Sequence, residues 1–241
     1  MEGPGVKVIA ERLSMLKGSI IEEAGGNTKK IDIDKLRGRY ISSVSSYGKN
    51  LLVKVDGLGY LRIHFLMYGS YSIDNRTKPD KALRLYIKTD KASVYFYNCS
   101  VSLLSKIKRY GQDVLSKRYS YKKALESIKD KDAYICDLLL DQRLFPGIGN
   151  IIKVEALYRA KVHPLSVAKN IPDKKLMELI KEAVSFSKLF YETRKKGERL
   201  KEYLQCYSKR LCISCNNRLI RKRTGKTNRF TYYCESCQRL Y

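Results

Sequence analysis

The sequence predicts an α+β multidomain chain, and three observations carry that prediction. Apolar residues alternate with polar ones from Arg39 to about Cys99, helical spacings dominate after Tyr110, and two Cys-x-x-Cys pairs stand near the C-terminus. The expected order is an N-terminal helix with a β-sandwich over residues 1–110, a helical domain over 111–205, and a metal-bound β-hairpin over 206–241.

Val6, Ile9, Leu13 and Leu16 recur at the spacing of one helix face, so a helix is expected from Val6 to Leu16. The pattern then shifts to period two. Leu51, Val53 and Val55 alternate with Leu52, Lys54 and Asp56, Leu61, Ile63 and Phe65 with Arg62, His64 and Leu66, and Leu83, Leu85 and Ile87 with Arg84, Tyr86 and Lys88. Gly and Asp at Asp56-Gly57, Gly69 and Asp90 punctuate these runs, as in an antiparallel sandwich or barrel. Helices are expected at Tyr121–Ile128, Ala133–Leu140, Asn150–Ala160 and Pro172–Thr193, with Pro172 in a first turn and Gly197 as the stop. The charge run from Arg194 to Lys201 reads by default as a solvated helix face.

The 241 residues carry 49 Lys and Arg against 24 Asp and Glu, a net charge of +25. Such a charge strains a compact fold by self-repulsion, so a polyanionic partner is expected, nucleic acid ahead of a membrane surface. No run of about 18 apolar residues appears, and Met1-Glu2-Gly3-Pro4-Gly5 lacks the basic start and apolar core of a signal peptide. An intracellular chain without membrane spans is the expectation, and there zinc or free thiols are commoner uses of cysteine than disulfides.

Cys212-x-x-Cys215 and Cys234-x-x-Cys237 are separated by eighteen residues, enough for a hairpin that returns the second pair to the first. Four thiolates close the coordination sphere, so the expected Zn2+ is structural. Arg218, Arg221, Lys222, Arg223, Lys226 and Arg229 lie between the pairs, a cation density suited to phosphates. Cys99, Cys136 and Cys206 are scattered and read as small buried residues.

Phe145-Pro146-Gly147-Ile148-Gly149-Asn150 separates two helical segments. Its glycines allow a tight turn with outward backbone N–H groups at a helix start, which can bind a phosphate; an ordinary helix–helix turn is the plain alternative. Asn150 reads either as the helix cap or as an amide donor to a phosphate oxygen.

Taken in order, Met1-Glu2-Gly3-Pro4, Gly48-Lys49 opening a strand, His64-Phe65-Leu66-Met67-Tyr68-Gly69-Ser70, Leu139-Leu140-Asp141-Gln142 before the glycine turn, Glu155-Ala156-Leu157 after it, and Arg229-x-Thr231-x-x-Cys234 span nearly the whole chain. This set resembles the formamidopyrimidine-DNA glycosylase and endonuclease VIII family. The resemblance implies a helix-two-turn-helix domain over 111–205, a zinc finger over 206–241, and a bifunctional DNA glycosylase and AP lyase of base excision repair. It implies that the N-terminal amine, here Met1, attacks the sugar of a damaged nucleotide and forms a Schiff base, and that strand cleavage by elimination follows. An α-amine has a pKa near 8, so a useful fraction is neutral at neutral pH. By the same resemblance Glu2 moves protons to and from the sugar, and Lys49 holds a phosphate and lowers the amine's pKa. Asn150, Gly147, Gly149 and Arg229 grip DNA, and His64 and Met67 lie along it, Met67 as a filler of the gap left by the extruded base. The implied partner is DNA with damaged bases or abasic sites, single-stranded or duplex, met by a monomer in the nucleus, nucleoid or viral replication site.

Two departures stand out. The usual start, Met-Pro-Glu-Gly-Pro-Glu, has a residue between Met and Glu that is missing here, while Gly5 matches the Val-Glu-Gly-Pro-Gly start of the vertebrate endonuclease VIII-like branch. Asn98-Cys99-Ser100-Val101-Ser102-Leu103 stands where many members carry Arg-Arg-Phe-Gly, whose Arg and Phe fill the gap in the duplex. Activity on single-stranded or open DNA, with oxidised pyrimidines and hydantoins favoured, is therefore expected.

Plain readings compete residue by residue. Lys49 alone is a surface lysine, His64 alone is structural, Met67 alone is a core methionine, and His163-Pro164 marks a helix end. Tyr232 and Tyr233 are expected to pack the cysteine module, or one of them to stack on a base, and Glu155 to order the glycine turn. The rival function is a non-catalytic zinc-ribbon nucleic-acid-binding protein, which has no need of Met1, Glu2 or Lys49. A membrane-surface protein lacks the basic amphipathic helix it would need.

Overall fold

The computed structural model describes residues Met1–Tyr241. The chain forms two compact units: Met1 with Gly3–Lys108, and Glu2 with Arg109–Tyr241.

The first unit opens with helix α1, Gly3–Arg12, which continues as a 3-10 turn over Leu13–Leu16. The helix begins earlier than its apolar spacing predicts because Pro4 fits a first turn, where its missing N–H costs nothing. Strands β1 (Ile21–Gly25), β6 (Leu83–Thr89), β7 (Ser93–Tyr97) and β5 (Ser70–Ile73) form one antiparallel sheet in the order β1-β6-β7-β5. Strands β2 (Ile41–Tyr47), β3 (Asn50–Val55), β4 (Gly59–His64) and β8 (Ser100–Leu104) form the other, in the order β2-β3-β4-β8. Ile41, Leu51, Val53, Leu61 and Ile63 from one sheet share a core with Ile21, Leu85, Ile87, Val94 and Phe96 from the other, and Val6, Ile9 and Leu13 of α1 join them. This is the expected sandwich. Leu52, on the alternate face, is buried as well, so β3 is covered on both sides at that point.

Lys49 is not a strand residue. It occupies the two-residue turn between β2 and β3, where Tyr47 pairs with Asn50 and Gly48 takes φ 54°, as the first central position of a type II′ hairpin requires.

The second unit is helical, with a hairpin. Helix α2 (Tyr121–Glu126) is capped by Ser120, whose Oγ accepts from the Lys123 N–H at 3.3 Å. Helix α3 is only Ile135–Leu138, shorter than the predicted Ala133–Leu140, and α4 runs Asn150–Arg159. Helix α5, Asp173–Lys196, stops at Gly197 in the left-handed region (φ 78°), as predicted, while Pro172 sits just before the first turn rather than in it. Strands β9 (Ile220–Thr224) and β10 (Arg229–Tyr233) form the hairpin between the two cysteine pairs. Ile148, Ile152, Ala156, Leu176, Ile180 and Phe186 belong to the main core of this unit. A smaller core joins Val154 and Tyr158 of α4 to Cys206, Cys212, Leu219 and Cys234. No helix is long and apolar enough to cross a membrane.

Candidate active site, carboxylate cradle and metal centre

In the first unit the N-terminal amine of Met1 donates to the Leu66 carbonyl at 2.5 Å. That carbonyl belongs to a short loop tied at both ends. Phe65 is buried against Tyr71 and Phe96, and the Gly69 N–H donates back to the Phe65 carbonyl at 2.7 Å. Gly69 is required there, since a Cβ would stand 2.0 Å from the Phe65 oxygen.

His64, at the end of β4, accepts the Leu66 N–H on Nδ1 at 3.2 Å. Burial lowers its pKa, and the Met1 amine, Lys49 and Arg62 lower it further. Burial and these three positive charges all oppose a proton on His64. Met67 is 62% exposed on the loop. The plain reading of Met67 as a core residue is thus corrected.

Glu2 meets the start of α4. Its Oε1 accepts from the Ile151 N–H at 2.7 Å, and its Oε2 from Gly149 at 3.2 Å and Ile152 at 3.3 Å. A helix start offers N–H groups without intrahelical partners and the positive end of the helix dipole, so it favours an ionised carboxylate. Gly149 makes the approach possible, because a Cβ there would lie 2.3 Å from the Glu2 carboxyl carbon.

This corrects the phosphate reading of the glycine turn. The Gly149 amide is given to Glu2, and the Gly147 amide donates to Oε1 of Gln142 at 3.1 Å. Asn150 is the first residue of α4 rather than its cap, a place held by Gly149, and its Nδ2 donates to the Phe230 carbonyl at 2.8 Å.

Glu155 also departs from expectation. It is fully buried and accepts the N–H groups of Gln205, Cys206 and Tyr207 at 2.8–3.1 Å, so it orders the approach to the cysteine module and not the glycine turn. Asp137 performs a like service at the hairpin tip, accepting from the Lys226 and Thr227 N–H groups at 2.8 and 2.9 Å.

Lys153 is a further residue of this region that the sequence pattern does not single out. It is fully buried on α4, its Nζ donates to Thr231 Oγ1 at 2.7 Å, and burial pulls its pKa down to about 8. The available signal was a lysine inside the apolar run Ile151-Ile152-Lys153-Val154. Arg229 is exposed at the start of β10, and the guanidiniums of Arg221 and Arg223 lie 3.7 and 4.3 Å from the Phe230 ring centre. Tyr233 packs edge-on against His163, and Tyr232 against Tyr207, as expected of residues that fill the module.

The sulfurs of Cys212, Cys215, Cys234 and Cys237 all lie within 4.8 Å of one another, with Cys212–Cys237 at 3.8 Å and Cys215–Cys234 at 3.5 Å. A tetrahedral ion with metal–sulfur bonds of about 2.3 Å needs sulfurs about 3.8 Å apart, so this donor set fits one. The Tyr158 hydroxyl stands 3.0 Å from the Cys212 sulfur, where it can orient that ligand. Cys99, Cys136 and Cys206 are buried free thiols, as expected.

Comparison with known proteins agrees with this geometry. Residues 1–100 match the formamidopyrimidine-DNA glycosylase N-terminal domain, and residues 110–201 the formamidopyrimidine-DNA glycosylase H2TH domain. The chain is 34% identical to endonuclease 8-like 3 of Mus musculus over 84% of its own length and 35% of the relative's. It is 27% identical to an endonuclease 8-like protein of Acanthamoeba polyphaga mimivirus over 99% of both chains. The chain thus spans about a third of the endonuclease 8-like 3 relatives it matches and nearly the full length of the viral one. Its fold superposes on Lactococcus lactis formamidopyrimidine-DNA glycosylase with a TM-score of 0.88, at 21% identity, over 99% of this chain and 100% of the other. With both domain families matched in order and the four-cysteine hairpin in place, the chain belongs to the formamidopyrimidine-DNA glycosylase and endonuclease VIII family.

Proposed function

We propose that this chain is a bifunctional DNA glycosylase and AP lyase of base excision repair that works through its N-terminal amine. The observation that carries the reading is the start of the chain itself: the Met1 amine is followed directly by Glu2, whose carboxylate accepts three backbone N–H groups.

The Met1 ammonium gives a proton to the Glu2 carboxylate, leaving a neutral amine that attacks C1′ of the damaged nucleotide. The C1′–base bond breaks with its electron pair on the base, which leaves with a second amine proton. Glu2 then returns its proton to the ring oxygen as the C1′–O bond opens, giving the Schiff base. Glu2, a carboxylate again, takes a C2′ proton as the C3′–O bond breaks and the 3′ phosphate leaves, and water releases the sugar from the amine. The damaged nucleotide must leave the base stack for this attack.

Lys49, in its tight turn, binds a phosphate, and Arg229 binds another from the hairpin. His64 and Met67, the latter exposed on its loop, lie along the DNA. Asn150 and the Gly147 and Gly149 backbone act by placing Glu2 and the hairpin, since their donors serve those groups. Cys212, Cys215, Cys234 and Cys237 hold one Zn2+, whose contribution is to fold the hairpin that carries Arg229. The functional division is catalytic sandwich 1–110, helix-two-turn-helix 111–205 and zinc finger 206–241, acting at DNA as a monomer.

Oxidised pyrimidines and hydantoins are the favoured lesions, and single strands the favoured form of DNA. Asn98–Leu103 supplies no Arg or Phe to hold a duplex open, and Ser100–Leu104 is instead paired into the sheet as β8. The test is product analysis on a single-stranded oligonucleotide carrying one oxidised pyrimidine. Release of the free base with a 3′ unsaturated aldehyde end supports the reading. DNA binding without either product contradicts it and leaves a zinc-ribbon binder.

A further inference from the structure

We propose that Lys161, Ser214 and Tyr158 form a chain of proton donors that ends on the Cys212 sulfur and sets how tightly the four-cysteine site holds its metal. The inference rests on the reading of that site as a Zn2+ site, and it adds positioning residues that are not themselves ligands.

The chain is continuous. The Lys161 ammonium donates to Ser214 Oγ at 3.0 Å, Ser214 Oγ stands 3.1 Å from the Tyr158 hydroxyl, and that hydroxyl stands 3.0 Å from Cys212 Sγ. Proton counting fixes its direction. A metal-bound thiolate has no proton to give, so the Tyr158 hydroxyl donates its single proton to the sulfur. The phenol oxygen is then left to accept, and Ser214 is its donor. Ser214 in turn accepts from the Lys161 ammonium, which has protons and no acceptor, so its own proton is free for the phenol. Each bond polarises the next, and part of the Lys161 charge is felt at Cys212.

Two further observations single out Lys161. Its Nζ lies 4.5 Å from the centre of the Tyr158 ring, so the cation addresses the phenol twice, through its face and through Ser214. Its backbone takes φ 56°, a left-handed conformation that glycine or asparagine adopts more easily. A lysine is kept there at a backbone cost, and the donor chain supplies the reason.

The need is electrostatic. Four thiolates around one divalent ion leave two net negative charges, and Cys212, Cys234 and Tyr158 are all buried. Water cannot solvate that charge on the Tyr158 side, so a fixed donor backed by a cation does so instead. Cys215, which is exposed, is solvated directly.

The experiment uses the zinc-loaded full chain and compares wild type with Tyr158→Phe, Ser214→Ala, Lys161→Gly and Lys161→Arg. Zinc transfer to a chromogenic chelator should be about tenfold faster in the first three and near wild type in Lys161→Arg. Lys161→Gly is the sharpest variant, since it relaxes the backbone while removing the cation. In cobalt-substituted protein, the sulfur-to-metal charge-transfer band should move to longer wavelength in Tyr158→Phe. A sulfur that loses a hydrogen bond gives up its electrons more readily, and loosened packing alone has no such signature. Equal release rates across the series, or an unmoved cobalt band, overturn the proposal. If Tyr158→Phe does not fold, Ser214→Ala and Lys161→Gly decide the question from the outer end of the chain. Wild type that neither purifies with zinc nor takes it up overturns the zinc reading, and this proposal with it.

Discussion

The Lys153 ammonium, buried on α4, donates to the Thr231 hydroxyl of β10 at 2.7 Å, and that hydroxyl stands 2.6 Å from the hydroxyl of Thr224 on β9. One helix thus places the Glu2 carboxylate at its first turn and grips the basic hairpin from its second. The hydrogen bond costs the desolvation of an ammonium, which burial expresses as a pKa near 8 in place of 10.5.

That cost gives a pH-dependent prediction. The folded pKa lies below the unfolded one, so between about pH 8 and 10.5 the unfolded chain binds more protons, and stability from this group rises with pH. Below pH 8 the buried charge carries its full penalty, on the order of 3 kcal/mol. Lys153→Met should therefore gain most over wild type near pH 7 and lose that advantage towards pH 10. Urea unfolding of both proteins across this range checks it, and a difference independent of pH contradicts it.

Gly149→Ala tests the cradle. The new Cβ would stand 2.3 Å from the Glu2 carboxyl carbon, so the carboxylate must move off the helix start. Displacement of a proton-transfer group by about 1 Å can cost about 100-fold in rate, so Schiff-base trapping should slow by that order while DNA affinity changes little. Trapping rates at saturating DNA measure the first, and fluorescence anisotropy the second.

Metal removal should act on the hairpin. One Zn2+ per chain is expected by metal analysis, bound by four thiolates. A strong chelator should release it, expose four reactive thiols, and abolish tight DNA binding as Arg229 loses its mount. Chelation that leaves thiol reactivity and DNA affinity unchanged would show that the four cysteines hold no metal.

The segment Asn98–Leu103 predicts the preferred substrate form. With no Arg or Phe there to occupy a vacated position, opening a duplex costs unstacking energy that a single strand does not require. Excision from a single strand should match or exceed excision from paired duplex at equal ionic strength. Faster cleavage of the duplex would remove this explanation.

What was legible in the sequence was local. Leu51, Val53, Val55 and Leu61, Ile63 gave the sandwich because period two reports one buried face, and the two Cys-x-x-Cys pairs gave the four-cysteine cluster because each pair sets two thiols within reach of one point. What was not legible depends on partners far away in the chain. Glu2 and Gly149 are 147 positions apart, and nothing in Gly147–Asn150 says that its amides will meet a carboxylate rather than a phosphate. Glu155 is 50 to 52 positions from the backbone it binds, and Lys153 is 78 from Thr231. The shortness of α3 and the placement of Lys49 in a turn follow from tertiary packing and turn geometry that periodicity does not record.

The most direct test is borohydride trapping on an oligonucleotide with one abasic site, using protein whose first residue is verified by mass spectrometry. Native protein should form a covalent adduct, mapped by peptide sequencing to the Met1 amine, and lose it when that amine is acetylated. An adduct that survives acetylation, or one mapped to a lysine such as Lys49, would contradict the role given to the N-terminus.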